Sequence, residues 1–327
     1  MNEQPQIEKN NDKENARKAE PLVTFALFAY NQEEYIREAV EAALAQTYEN
    51  LEIVISDDKS PDKTFEIMQE IVAGYTGPHK IILNRNESNL GLSGHVNKVF
   101  EMSKGEIIVI AAGDDVSDPQ RSRVIVDEFA SRSRDTMVVW CSGWEMNENG
   151  VRTGKIERTF NDDFPYDIKN VIKRARWVLG ATVAVRRELM TKFGPMNEDV
   201  ANEDHVILNR AILIGRLAYT DKCLVDYRRV SQSLSDNSDK VNYYMRMCAV
   251  SRQLLSDLNT NSKKYGKFIP VAKLRLAKNE FNYMQWKTSK NMWTTVFASI
   301  KMRSPNIIRQ YMLALNHHRK VASRSGL

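Results

Sequence analysis

Between Leu22 and Ala112 the chain alternates short β-rich runs with amphipathic stretches. The runs are LVTFALFAY, LEIVIS, HKIILNR and EIIVIAA. Between them lie EEYIREAVEAALAQ, a segment opened by Ser60-Pro61-Asp62 that closes near Gly74, and GHVNKVFEMSK. In the first of these, Ile36, Val40, Ala43 and Leu44 share one helical face. An early Pro61, with Ser60 or Asp62 to cap, suits a helix start in the second. Alternation at this spacing predicts βαβ units, hence an α/β fold with a mainly parallel central sheet flanked by helices.

Ligands of such sheets bind beyond the carboxyl ends of the strands. Polar residues gather at those ends: Tyr30-Asn31, Asp57-Asp58 and Asp114-Asp115. One such pair alone reads equally well as a turn; three on one sheet edge point to a ligand cleft. No GxGxxG follows the first strand and no GxxxxGK[ST] occurs, so neither familiar phosphate-cradling loop is present. A diphosphate bound here needs another positive charge. Mg²⁺ or Mn²⁺ on one or two carboxylates plus substrate phosphates is the natural source.

Charge divides the chain. Residues 240–327 hold 17 Lys/Arg against 2 Asp/Glu, which leaves 30 against 40 in residues 1–239. The first 20 residues are polar, with no apolar core for a signal peptide, and are expected to be a disordered lead. The expected organisation is a lead over 1–20, a body over 21–238 and a basic helical region over 239–327. The body divides into a nucleotide half (21–120) and an acceptor half (121–238). Three scattered cysteines fit a reducing cytoplasm, and no run is long and apolar enough for a spanning helix. In the basic region, Lys and Arg interleave with Trp, Phe, Tyr and Met. That suits either peripheral contact with an anionic membrane surface or packing against the acidic body. No nucleic-acid motif is present, and no nucleic-acid partner is expected.

The stretch FAYNQEEYIREAVEAALAQTYENLEIVISDDKSPDKT resembles the opening of family 2 glycosyltransferases. NLGLSGHVN resembles that family's Asn-x-Gly…Asn helix start, AAGDD its metal motif, and NEDHVILNRAILIGRLAYTDKCLVDYRR its acceptor-side segment. The resemblance covers about residues 22–235. It implies the GT-A nucleotide-diphospho-sugar transferase fold and inverting transfer from a nucleoside-diphosphate sugar to a glycan or lipid-linked acceptor. It further implies that Tyr30 lies against the base, that Asp58 accepts hydrogen bonds from base or ribose, and that Asn97 belongs to the donor side. By the same resemblance Asp114 faces the ribose or sugar, Asp115 with Asp114 holds the metal, and Asp204 is the general base with Glu203 as the fallback. Arg228 is a candidate diphosphate contact.

The chain departs from the family pattern at three points. Ala112 stands where many relatives have Asp, Val96 where an Arg is common, and Val230 where a His is common. His95 is either a substitute contact or a core histidine. Glu203-Asp204 also reads as an acidic helix start near Asn202. Gly180 could let an acceptor approach closely, and Trp177 either stacks on a sugar or is buried. Two other classes compete. A non-catalytic sugar-nucleotide or glycan-binding protein would be expected to lose the carboxylates retained here. A nucleotidyltransferase would carry a Gly-rich basic loop where Tyr30-Asn31-Gln32-Glu33 stands.

Overall fold

The computed structural model describes residues 20–156, 178–230 and 239–287. Four parallel strands lie in the order β3 (Lys80–Arg85), β2 (Leu51–Asp57), β1 (Val23–Ala29), β4 (Ile107–Ala112). Helices α1 (Ile36–Leu44), α2 (Thr64–Ala73) and α3 (Gly91–Met102) make the crossovers. All seven residues of β1 and of β2 are buried. Such continuous apolar runs belong to strands covered on both faces. The two-residue period then sorts side chains between two cores. Phe25, Leu27, Ile53, Ile55, Ile107 and Val109 pack with α1 on one face. Ala26, Phe28, Val54, Ile108 and Ile110 face the other, with α3.

Beyond β4 the sheet becomes mixed. β8 (Val183–Arg186) runs antiparallel to β4, followed by β6 (Thr136–Met146), β9 (Arg216–Arg228) and the short β5 (Val116–Ser117), while β7 (Arg152–Lys155) pairs with β6. Only Gly113, Asp114 and Asp115 separate β4 from β5 in sequence, yet three strands lie between them in the sheet. The sheet must curl to bring the end of β9 back beside that turn. Helices α4 (Arg121–Ser131), α5 (Glu188–Phe193) and α6 (Glu203–Ile214) complete the body.

Of the basic region, residues 240–287 are described. They form α7 (Lys240–Thr260), a short α8 (Ser262–Tyr265) and α9 (Ile269–Lys287). Asp239 caps α7, accepting from Val241 N at 2.9 Å and Asn242 N at 3.2 Å. Met247, Ala249 and Val250 of α7 join the core beneath α6. Leu254 and Leu258 cluster with Leu213, Phe268 and Ala272. A buried ion pair joins α6 to α7: Arg210 Nε donates to Asp257 Oδ2 at 2.9 Å, with side chains 0% and 3% exposed. The described basic helices therefore pack on the body through an apolar face. Among the described residues no helix is long and apolar enough to cross a membrane. The expected lead, apart from Glu20, and Trp177 lie outside the described residues.

Removing one partner of a buried ion pair strands the other's charge. Asp257→Ala is expected to lose roughly 3–5 kcal/mol of unfolding free energy. Urea denaturation of the variant beside the unmutated chain measures this, and a loss under 1 kcal/mol would mean that α7 is not fastened here.

Candidate functional site

The ends of β1 and β2 are tied by backbone in an uncommon conformation. Asn31 (φ 56°) and Lys59 (φ 63°) are the two non-glycine residues in the left-handed region among those described. Such conformations persist where surroundings over-determine them, and they concentrate at ligand sites. Here Asn31 N donates to Ser60 Oγ at 2.8 Å and Gln32 N to Thr64 Oγ1 at 2.8 Å. The Ser60 hydroxyl and N–H in turn donate to the buried Asp57. Asp57 also faces Arg85 Nε at 3.3 Å, so it is a scaffold carboxylate. Asp58 is different. Its Oδ1 accepts from Asn86 Nδ2 at 2.8 Å and Leu90 N at 2.9 Å, while Oδ2 takes no hydrogen bond among the described residues. Tyr30, at the same edge, is 49% exposed.

Asn97, expected on the donor side, and His95, open between a contact and a core residue, are both engaged elsewhere. Asn97 Nδ2 donates to Met196 O at 2.7 Å, and its Oδ1 accepts from Met196 N at 2.9 Å. Both ends of the amide clasp the loop before α6. His95 is a core histidine. Its Nε2 lies 2.7 Å from Ser56 Oγ, its ring meets Phe28 edge-on, and burial lowers its pKa against the opposing pull of Asp58 and Asp57.

The turn after β4 is tight. A Cβ on Gly113 would come within 2.5 Å of Gln32 Oε1 and 3.1 Å of Ala29 Cβ. Asp115 is 4% exposed; its Oδ1 accepts from Arg228 N at 2.8 Å, but its buried Oδ2 has no partner. Burial, then the neighbouring Asp114, pushes its pKa well above the usual carboxylate range. Burial also raises Asp114, against Arg228 and Gln32. Two arginines brace the turn. Arg121, fully buried, donates to Ile110 O at 2.8 Å, Ser117 Oγ at 3.0 Å and Ala181 O at 2.6 Å. Arg228 donates from Nε to Asp114 O at 2.9 Å, from Nη1 to Glu148 O at 2.9 Å and from Nη2 to Glu38 at 2.8 Å, with its guanidinium 4.6 Å from the Tyr35 ring centre. The expected diphosphate contact from Arg228 thus meets a side chain that is 2% exposed and occupied by protein acceptors.

The donor set suits a small divalent cation. Asp114 and Asp115 supply two adjacent carboxylates, and the partnerless buried oxygen of Asp115 is an acceptor awaiting a positive charge. No cluster of three or more His, Cys, Asp or Glu positioned to bind a metal occurs among the described residues. A Mg²⁺- or Mn²⁺-like ion would therefore rely on substrate phosphates and water for its other ligands.

Glu203 and Asp204 open α6, where the helix dipole favours negative charge. Asp204 Oδ1 accepts from His205 N at 2.8 Å. Burial raises Glu203 to about 7; burial, then Glu203, lifts Asp204 well above its ordinary value. A Cβ on Gly180 would lie 2.7 Å from Glu203 Oε1. The missing side chain therefore admits a carboxylate of the protein itself, where the sequence had suggested an acceptor. Gly180 belongs to the 3-10 turn Gly180–Thr182, whose Ala181 carbonyl is held by Arg121. One short turn thus links the Glu203-Asp204 pair to the Asp114-Asp115 pair. Arg121 was missed in the sequence, although it closes the run DDVSDPQR and follows Pro119 into α4.

Comparison with known proteins agrees with this layout. The Glycosyl transferase family 2 model matches residues 24–192. The chain belongs to that family. It is 32% identical over 136 residues to the putative glycosyltransferase EpsE of Bacillus subtilis, covering 42% of this chain and 48% of EpsE. It is 37% identical over 94 residues to the Escherichia coli protein named UDP-Glc:alpha-D-GlcNAc-diphosphoundecaprenol beta-1,3-glucosyltransferase WfaP, covering 29% of this chain and 36% of WfaP. Its matches thus span about half or less of these relatives' lengths. Among solved structures, S. aureus TarS 1-349 in complex with UDP-GlcNAc superposes with a TM-score of 0.57 at 16% identity, covering 81% of each chain. Mannosyltransferase PcManGT from Pyrobaculum calidifontis, in complex with GDP-Man and Mn2+, superposes with a TM-score of 0.53 at 18% identity, covering 93% of this chain and 81% of PcManGT. At such identities the likeness speaks to the fold, which is that of GT-A glycosyltransferases.

The raised pKa of Glu203 has a stability consequence. Between its ordinary value of 4.5 and about 7, the folded state keeps a proton that the unfolded chain has released. Stability is thus full below the lower value and falls as pH rises toward the upper one. Glu203→Gln is expected to be more stable than the unmutated chain near pH ~8 by up to about 3 kcal/mol. The gap should close toward pH 4.5, and urea titrations across that range test it. Equal stability at both ends would mean that Glu203 ionises freely.

Proposed function

We propose that the chain is a metal-dependent inverting glycosyltransferase. It moves a sugar from a nucleoside-diphosphate sugar to a glycan or lipid-linked acceptor in surface-polysaccharide assembly. The observation that carries this is the partnerless buried oxygen of Asp115, beside Asp114, at the strand edge that also presents Asp58 and Tyr30. The printed contents of TarS and PcManGT, UDP-GlcNAc and GDP-Man with Mn2+, support a nucleotide-sugar donor and a divalent cation.

Tyr30 lies against the base and the free oxygen of Asp58 receives a base or ribose donor. Asp114 and Asp115 hold the cation, which when bound offsets charge developing on the diphosphate. Arg228 and Arg121 act through these carboxylates by fixing the turn, and Asn97 acts through the loop before α6. Asp204 accepts the acceptor's hydroxyl proton as the new bond forms on the face opposite the leaving group. Burial, then the neighbouring Glu203, raises the Asp204 pKa, which strengthens its hold on a proton taken from the acceptor hydroxyl. The basic helices are proposed to touch an anionic membrane surface from the cytoplasmic side. Trp286 and Leu274 of α9 and Met245 of α7, 51%, 39% and 49% exposed, are the large exposed apolar side chains of the described basic helices.

A panel of UDP- and GDP-sugars with Mn²⁺ or Mg²⁺, read as released nucleoside diphosphate, tests the activity. Asp115→Asn should abolish chelator-sensitive donor binding; retention of it would overturn the metal assignment. Asp204→Asn should bind donor normally and lose transfer by about 10²-fold or more, the usual worth of a general base. Full transfer would move the base role elsewhere, and donor binding without transfer in the unmutated chain would favour a sugar-nucleotide-binding protein. For the basic region, co-sedimentation should occur with anionic vesicles and not with neutral ones; no difference would refute the membrane contact.

A further inference from the structure

Arg37 and Glu38 are neighbours at the start of α1, and they make ion pairs of different kinds. Arg37 meets Glu70 with both side chains exposed, the sort of pair that contributes little. Glu38 Oε2 accepts from Arg228 Nη2 at 2.8 Å, and here a carboxylate that is 55% exposed reaches a guanidinium that is 1% exposed. An acid in the first turn of a helix suits the helix dipole wherever it points. This one points at the arginine that braces the turn after β4.

Arg228 stands beside the Asp114-Asp115 pair. Its N–H donates to Asp115 Oδ1 at 2.8 Å and its Nε to Asp114 O at 2.9 Å. It and Arg121 both ease the ionisation of Asp115. With both carboxylates ionised, the two aspartates and the two buried arginines cancel in formal charge, and a neutral group attracts a divalent cation weakly. Yet the guanidinium directs its hydrogen bonds elsewhere. Nη1 donates to Glu148 O at 2.9 Å, Nη2 goes to Glu38, and the Tyr35 ring centre lies 4.6 Å from the guanidinium. Asp115 Oδ2 is left buried without a partner. The next cation in the chain, Arg229, is held by Glu145. Glu38 turns the charge of the cluster back to net negative.

We propose that Glu38 is a positioning residue for the cation site: it holds the Arg228 guanidinium off the Asp114-Asp115 carboxylates and offsets its charge, so that the pair stays free to take a divalent cation. Glu38 acts through Arg228 and is not itself a ligand. This role rests on reading Asp114-Asp115 as the cation site. A carboxylate this exposed acts through water as well as protein, so its effect is moderate, roughly three- to tenfold in cation affinity at low ionic strength.

The probe is Mn²⁺ alone, titrated into the full-length protein and followed by the electron paramagnetic resonance of the free ion. Two variants separate charge from shape. Glu38→Gln keeps an acceptor for Arg228 Nη2 and removes the charge; it should bind Mn²⁺ roughly three- to tenfold more weakly at low salt. Glu38→Asp keeps the charge on a shorter side chain and should stay within about twofold of the unmutated chain. The gap between Glu38→Gln and the unmutated chain should narrow in ~1 M KCl, where the Debye length falls to about 3 Å. A merely structural Glu38 would give the reverse order, with glutamine tolerated and aspartate not, and that order would overturn the proposal. So would equal affinity in all three chains, a gap that salt leaves unchanged, or a Glu38→Gln chain whose circular dichroism shows that it does not fold. Asp115→Asn separates this failure from that of the cation reading. Mn²⁺ binding lost in Asp115→Asn but unaltered in Glu38→Gln would remove Glu38 from the site and leave the cation reading standing. No Mn²⁺ binding by the unmutated chain, or binding that survives Asp115→Asn, would sink the cation reading and the role of Glu38 with it.

Discussion

Two carboxylates adjacent in the chain and withdrawn from water each make the other harder to ionise, and the layout around β4 answers that difficulty at Asp114-Asp115. The protein does not neutralise the pair outright. Arg228 reaches Asp114 through its backbone carbonyl and Asp115 through its own N–H, while Arg121 sits among carbonyls nearby. These contacts fix where the carboxylates are and leave one oxygen of Asp115 unanswered. A full salt bridge there would have removed the reason for a cation to bind. Partial compensation leaves the pair destabilised unless a further positive charge joins it, which is what the proposed divalent ion would supply.

Sheet topology makes that arrangement possible. Three residues link β4 to β5 although β8, β6 and β9 intervene between them. The curl this demands carries Arg228, at the end of β9, to the turn after β4. It also brings the turn around Gly180 under Arg121, and Glu203 against Gly180. The metal-type pair and the base-type pair are therefore positioned by one continuous set of backbone contacts.

Local chemistry made the parallel half legible from sequence. Its strands are two-sided apolar runs, its helices carry one buried face, and each strand ends in polar residues. The acidic start of α6 was legible for the same reason. What escaped was long-range pairing. Asn97 looked like a donor-side residue because of its place in NLGLSGHVN, but the fold brings Met196 to it from 99 positions away. Arg228 looked like a phosphate contact because it is a cation in the right segment, but Glu38, 190 positions earlier, claims its Nη2. Gly180 marked a close approach correctly and the wrong visitor. In each case the residue's chemistry was readable and its partner was not, since partners at such separations are set by the curl of the sheet.

The same distinction bears on the basic region. Net charge alone cannot separate a cation that solvates a helix face from one that fastens two helices. Arg252 and Lys287, on exposed faces, belong to the first kind: one faces Glu280, the other the Tyr283 hydroxyl. Arg210 is buried and paired, which fastens α6 to α7. Arg275 is buried with its Nη1 unpartnered, and the cost of that burial shows as a lowered pKa. The described basic helices are thus held to the body by a buried ion pair and a shared apolar core, while other cations remain on their exposed faces.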